Sequence, residues 1–160
     1  MTDSAEIDRP GWARARTLMV ALIVAVALAV VAVPGRAMAD PADDAGATVG
    51  LINDARAAYA LAPLAADREL QVLANRQANV MADAGQIFHT QDLGGQLSWG
   101  WSRWAENVGY GPSVGWIHGA FMNSPSHAPH ILDPSYNYVG VGVAYGSDGS
   151  VYVAEVFGTW

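Results

Sequence analysis

Residues 138–157 open with Tyr138-Val139-Gly140-Val141-Gly142-Val143-Ala144-Tyr145. Gly146-Ser147-Asp148-Gly149 follows, and then Val151-Tyr152-Val153-Ala154-Glu155-Val156-Phe157. Both long pieces alternate with a period of two, and turn formers separate them. The segment therefore reads as a β-hairpin with a four-residue loop. Upstream the period is helical. Leu51, Ile52, Ala55, Ala58 and Tyr59 recur at three- and four-residue spacings, opposite Asn53, Asp54 and Arg56, which predicts a helix from Thr48. Leu61-Ala62-Pro63-Leu64 breaks that period. Asp67 stands where an N-cap would, with Glu69 in the first turn. Leu70, Leu73, Ala74, Gln77, Val80, Met81 and Ala84 then form a second amphipathic stripe that Gly85 closes. Ser113 is placed to cap a third helix, Val114–Met122, which Asn123-Ser124-Pro125 stops. One more helical turn is expected within 127–132, and 106–110 suits a short strand. Helices first and antiparallel strands last define an α+β class.

Composition narrows the possibilities. The chain has 160 residues, with eight arginines, no lysine, fifteen acids and no cysteine, for a net charge of −7. Without a basic patch it is not built to sit on nucleic-acid phosphates. Without cysteine it has no disulfides, no thiol chemistry and no thiolate zinc site. Residues 18–33 are an unbroken run of Leu, Met, Val, Ala and Ile, preceded by Arg9, Arg14 and Arg16 and followed by Pro34-Gly35. Ala37-Met38-Ala39 supplies the small residues of a cleavage site before Asp40. Residues 1–39 therefore read as a signal peptide, with an uncleaved anchor at 18–33 as the alternative. No twin-arginine pair is present. Residues 40–160 keep twelve acids and four arginines, a net of −8. Their first eight, 40–47, are acidic and contain Pro and Gly, which predicts a linker before a domain at 48–160.

Several local motifs fail on their own chemistry. His127-Ala128-Pro129-His130 lacks both the glutamate and the spacing of a zinc-protease helix. Gly111-Pro112-Ser113-Val114-Gly115 matches a nucleophile elbow, but no acid lies between Ser113 and His130, the last histidine. Trp99, Trp101 and Trp104 invite a sugar- or peptide-stacking reading, and packing anchors in a folded-back loop are the preferred one. Glu106, flanked by Trp104, Ala105, Val108 and Tyr110, is either a half-buried carboxylate with a donor or an acid in a cleft.

Several segments together resemble one family. Leu51-Ile52-Asn53-Asp54-Ala55-Arg56, Leu61-Ala62-Pro63-Leu64, Phe88-His89-Thr90, Ala105-Glu106-Asn107-Val108, Phe121-Met122-Asn123-Ser124-Pro125-Ser126-His127, Tyr138-Val139-Gly140-Val141-Gly142 and Val156-Phe157-Gly158 are similar, in order and spacing, to a bacterial CAP domain. That superfamily holds the cysteine-rich secretory, antigen 5 and pathogenesis-related 1 proteins, also called SCP-like extracellular proteins. The resemblance implies a three-layer α-β-α sandwich around a central antiparallel sheet. It also implies a cleft with His89, Glu106 and His127. The family's second acid would fall near Ser124, where no carboxylate exists. The usual Gly-His-Arg-Ala-Asn-Ile-Leu becomes Ser126-His127-Ala128-Pro129-His130-Ile131-Leu132, losing an arginine and gaining His130. Glu155 could supply a carboxylate to the same cleft, although pairing at the sheet surface is the preferred reading.

Some relatives bind zinc or similar cations through the two histidines. By that resemblance His89 and His127 are the metal candidates here, with no cofactor required. Two functions of different class follow. One is a secreted or extracytoplasmic binding module for a lipid, peptide or cell-envelope ligand, touching a membrane only through an uncleaved leader. The other is a metal-assisted hydrolase, protease or esterase, using the same cleft. The lack of a nucleophile held by a base favours binding over an enzyme. Fold resemblance does not choose between them.

Overall fold

A computed structural model describes residues 40–160; the expected signal peptide, the anchor at 18–33 and the cleavage site lie outside the described residues. The elements are α1 (Pro41–Ala58), β1 (Ala65–Ala66), α2 (Arg68–Ala84), α3 (Leu93–Gln96), β2 (Arg103–Gly111), α4 (Val114–Met122), α5 (Ala128–Leu132), β3 (Tyr138–Tyr145) and β4 (Val151–Thr159). Among the described residues no helix is long and apolar enough to cross a membrane.

The helices start and stop where local chemistry dictates. Asp67 accepts hydrogen bonds from the N–H groups of Glu69 and Leu70, and Gly85 ends α2 at φ 64°, a left-handed cap that costs glycine nothing. Ser113 caps α4 by accepting from the N–H of Trp116. The first helix corrects the sequence reading. It begins at Pro41 rather than Thr48, so the expected linker at 40–47 is its first two turns. Asp40 is its N-cap, Pro41 occupies the first helical position, and Asp43 and Asp44 face the positive end of the helix dipole. The acids and the proline that suggested a linker are helix-start signals.

The hairpin forms as expected, with one adjustment. Tyr145 pairs with Val151, so the connection is the five residues Gly146–Ser150 rather than four. β4 is central: the strand order is β1-β3-β4-β2, with β3 and β2 antiparallel to β4. The two-residue β1, which periodicity could not have revealed, pairs parallel to β3 at Tyr138 and Val139.

Both faces of the sheet are covered. On one, Val108, Tyr152, Ala154 and Val156 pack with Leu70, Leu73, Ala74 and Met81 of α2. On the other, Val139, Val141, Val143, Val153 and Phe157 pack with Ile52 of α1, Ile117 and Phe121 of α4 and Ile131 of α5. The architecture is an α-β-α sandwich in three layers, as the family resemblance implies.

The layer spacing is set at two glycines. A Cβ on Gly140 would fall inside the backbone of Leu70 and Gln71, and one on Gly142 inside the backbone of Ala74. Helix α2 therefore lies backbone to backbone on β3. Loops are fixed by side chains that bond to main chain. The fully buried Arg56 donates to the carbonyls of Ala62, Ile131, Asp133 and Tyr136, joining the end of α1 to the segment after α5. Burial lowers its pKa, and nearby Asp133 opposes that. Asn53 exchanges two hydrogen bonds with the main chain of Leu64.

Gly142→Ala has no room and is expected to destabilise the domain by at least about 3 kcal/mol in urea denaturation. Gly50→Ala on α1 meets nothing and is expected to be neutral or stabilising by up to about 1 kcal/mol. Equal effects at the two positions would refute the backbone-contact account.

Candidate functional site

Successive residues of a strand face opposite layers, and on β2 this separates Glu106 from Asn107. Glu106 is opposite Val156 and points toward the α2 layer; Asn107 is opposite Glu155 and points toward α4 and α5. Because β2 is an edge strand, groups from both layers can gather around it.

On the α2 side, the chain leaving α2 brings His89 and Thr90 to Glu106. His89 Nδ1 lies 2.8 Å from Glu106 Oε2, the N–H of Thr90 donates to the same oxygen at 2.9 Å, and the Thr90 hydroxyl donates to Oε1 at 2.6 Å. Gln77 of α2 lies 3.0 Å from that hydroxyl and donates to the carbonyl of Phe88, which holds the loop. The Glu106 side chain is 4% exposed, whereas that of His89 is 63% exposed. A carboxylate can only accept, so in neutral His89 the proton is on Nδ1 and Nε2 keeps its lone pair.

On the opposite side, His127 stacks on Phe121 with ring centroids 4.9 Å apart. Its Nδ1 lies 2.7 Å from the Ser124 hydroxyl and 3.2 Å from that of Ser126. Ser124, at the position where the resemblance put a second acid, thus meets His127 with a hydroxyl. His130 reaches Asn107: its Nδ1 is 2.8 Å from Oδ1. Asn107 donates through Nδ2 to Glu155 Oε2 at 3.0 Å and to the His127 carbonyl at 3.3 Å. With its donors committed there, its oxygen faces His130, and Nδ1 of that ring carries the proton. All three rings are held through Nδ1. For His89 and His130 this leaves the Nε2 lone pair to a ligand, whereas the hydroxyl partners of His127 are compatible with a proton on either ring nitrogen.

Burial, and then the nearby positive charge of His89, lower the pKa of His127. His130 is lowered by burial first, then by His127 and His89, with Arg103 adding to this and Asp133 opposing it. His118 on α4 is lowered by burial, and its buried Nδ1 has no partner among the described residues. For His127 and His130 these shifts favour the neutral imidazole, the form that a cation ligand or a hydrogen-bond acceptor requires.

Glu155 differs from its expected surface position. It is fully buried, and its Oε1 has no partner among the described residues. Burial pushes its pKa up to about 7, against the opposing hydrogen bond from Asn107. It contacts Asn107 and does not join Glu106. The tryptophans also divide. Trp101 is buried and donates to Glu69, as an anchor should, but Trp99 is 97% exposed. Glu69 also accepts from the N–H and hydroxyl of Ser98, which fixes the loop beneath Trp99.

The donor set suits a cation only in an open arrangement. Among the described residues no group of three His, Asp or Glu side chains is placed to hold a metal ion. Glu106 already accepts three hydrogen bonds, so it orients His89 rather than completing a coordination shell. Sequence reasoning did not single out Thr90, Gln77 or Asn107. Thr90 and Asn107 adjoin His89 and Glu106 in the chain, and strand alternation at 106–107 is the signal that separates the two faces.

Residues 49–157 match the family model for CAP, the cysteine-rich secretory protein family. Among solved structures, an outer surface protein of Borrelia burgdorferi superposes with TM-score 0.67 at 20% identity, covering 75% of this chain and 95% of that one. A cysteine-rich secretory protein of Staphylococcus aureus gives TM-score 0.64 at 23% identity over 76% of this chain and 40% of its own. An SCP-domain extracellular protein of Bacillus anthracis gives 0.63 at 22% identity over 75% of this chain and 41% of its own. At these identities the likeness is one of fold. No curated protein matches by sequence.

Glu155 makes a signed prediction about pH. A folded pKa above the ordinary carboxylate value means that the folded state holds a proton the unfolded chain releases, so this contribution is complete below about pH 4.5 and is lost as pH rises through 7. Glu155→Gln mimics the protonated side chain and is expected to remove that loss. Its stability relative to wild type should rise across this window and level off above pH 7, by on the order of 3 kcal/mol. A difference independent of pH, followed by chemical denaturation at pH 5 and pH 8, would count against a protonated Glu155.

Proposed function

This chain belongs to the cysteine-rich secretory protein (CAP) family, and from that premise we propose that it is an extracytoplasmic binding module rather than an enzyme. In this reading the cleft around His89, Glu106 and His127 takes the polar end of a lipid, peptide or envelope ligand. His89 and His127 offer Nε2 to a weakly held divalent cation, zinc being the natural probe. Such a cation would supply a positive point in an otherwise acidic domain; water and the ligand itself would fill its remaining positions. Extracytoplasmic placement draws support from the outer-surface and extracellular relatives of the same fold and from the leader-like residues 1–39.

The observation that carries binding over catalysis is the state of Glu106. Three donors occupy its carboxylate, so it is a positioning group for His89 and not a free base. A metal-assisted hydrolase in the same cleft is the alternative, and one contact favours it: Ser124 and His127 stand at the separation of a nucleophile and its base. Among the described hydrogen bonds, however, His127 Nε2 has no carboxylate partner to orient the ring. The Ser124 hydroxyl also lies 3.0 Å from that of Ser126, and the Ser124 carbonyl accepts from His127 and Ala128, as in an ordinary turn.

Calorimetric titration of the compact unit Ala39–Trp160 with zinc should show saturable binding in wild type and its loss in the His89→Ala/His127→Ala double variant. Affinity should fall as the solution is made acidic, because protons compete with the metal for the imidazole nitrogens. Zinc binding unchanged in the double variant defeats the cation reading. Peptide or ester hydrolysis that needs these histidines, or that vanishes in Ser124→Ala, makes the protein an enzyme.

A further inference from the structure

The outer edge of β3 is covered one rung at a time. At Tyr138 and Val139 the partner is β1, and the N–H of Asp67 donates to the Val139 carbonyl. At Val141 the partner is a side chain: Gln71 of α2 donates its amide to the Val141 carbonyl and accepts from the Val141 N–H. One carboxamide thus stands where a neighbouring strand would be. With a period of two, the next outward-facing residue is Val143. Among the described residues neither its outward N–H nor its carbonyl has a partner.

The described residues leave space in front of that rung. A groove of about 720 Å³ has Val143 on its floor. One wall is the small-residue face of α1, Ala42, Ala45, Gly46 and Val49; the other is the amide row Gln71, Asn75 and Asn79 of α2. Asn75, one turn further along α2, makes no described hydrogen bond to Val143; its side-chain oxygen accepts from Gln71 and its carbonyl accepts from Asn79.

We propose that this groove binds an extended peptide segment, which adds to the edge of β3 at Val143 and carries a basic residue toward Asp40. A strand edge is recognised by a main-chain donor and acceptor at strand spacing, and Gln71 shows that an amide is what the adjacent rung accepts. Ala42, Ala45 and Gly46 let a peptide backbone approach closely. Asp40 lies at the groove and, among the described residues, no cationic side chain lines it, so charge favours arginine or lysine in the occupant. This site is separate from the His89–His127 cleft and does not depend on what binds there.

The test uses a blocked peptide of one arginine followed by alternating valine and threonine. Two N-methylated versions block one or the other set of alternate amides. Calorimetry should show saturable binding of the parent peptide. The version methylated on the edge that faces β3 should bind at least about tenfold more weakly, and the version methylated on the other edge should be spared. Gly46→Leu fills the groove from a position where an added Cβ meets nothing, so it should fold at least as well as wild type and lose binding by a similar factor. The Val143 amide should exchange with solvent more slowly once peptide is bound, and the His89→Ala/His127→Ala variant should retain wild-type affinity for it. Several results would overturn the proposal: no binding at millimolar peptide, both methylated versions binding like the parent, or full binding by Gly46→Leu. A peptide-free dimer that Gly46→Leu dissolves would assign the groove to a second copy of the chain instead.

Discussion

Helix α2 and strand β3 are in step, and this commensurate contact organises the domain. Four helical residues advance about 6 Å and two strand residues about 6.6 Å. Leu70 and Ala74 can therefore sit over Gly140 and Gly142 in succession, backbone against backbone. A side chain at either glycine would lift the helix and lose the packing of Leu73 and Met81 against Tyr152, Ala154 and Val156 on β4. The same register delivers the end of α2 to one place. The loop after Gly85 reaches the edge strand at Glu106, so the His89–Glu106 pair inherits its geometry from a contact at the other side of the sheet.

The domain lacks the disulfides after which its family is named, and polar side chains do comparable joining. Arg56 gathers four carbonyls from the loop after α1, from α5 and from the segment that follows it, Asn53 grips Leu64, and Glu69 takes three donors from the tryptophan loop. Each satisfies main-chain or indole groups that burial would otherwise leave unpaired. Unlike a covalent link, these ties hold only in the folded state, so they define one arrangement without restricting the unfolded chain. The histidine cluster is built in the same way. A pair on one face of β2 and a relay of Glu155, Asn107 and His130 on the other share a single strand and differ in exposure.

Much of this was legible in residue order. Asp67 and Gly85 bracket α2, Ser113 opens α4, and the Val-Gly alternation of β3 marks the hairpin, because each signal is local. The first turns of α1 were misread although equally local. Asp40-Pro41-Ala42-Asp43-Asp44 has the composition of a linker and the order of an N-cap, and order decides. The pairing of Glu106 with His89 was not legible, since two residues seventeen positions apart meet only after α2 has docked. Nor was the burial of Glu155: alternation gives its face, but only the α4–α5 layer makes that face dry. The two tryptophans at 99 and 101 differ for a similar reason, because only Trp101 finds a carboxylate partner.

The amide row on α2 carries a consequence for how such an edge can change. Gln71 and Asn75 differ by one methylene group, and one helical turn of α2 matches one rung of β3. The bonded rung and the open one therefore face amides that differ by a single carbon, and Asn75 is also bonded to Gln71 and Asn79. On the proposal of a peptide site, a longer amide at position 75 would close the berth along β3 from within the chain, far from the His89–Glu106 pair.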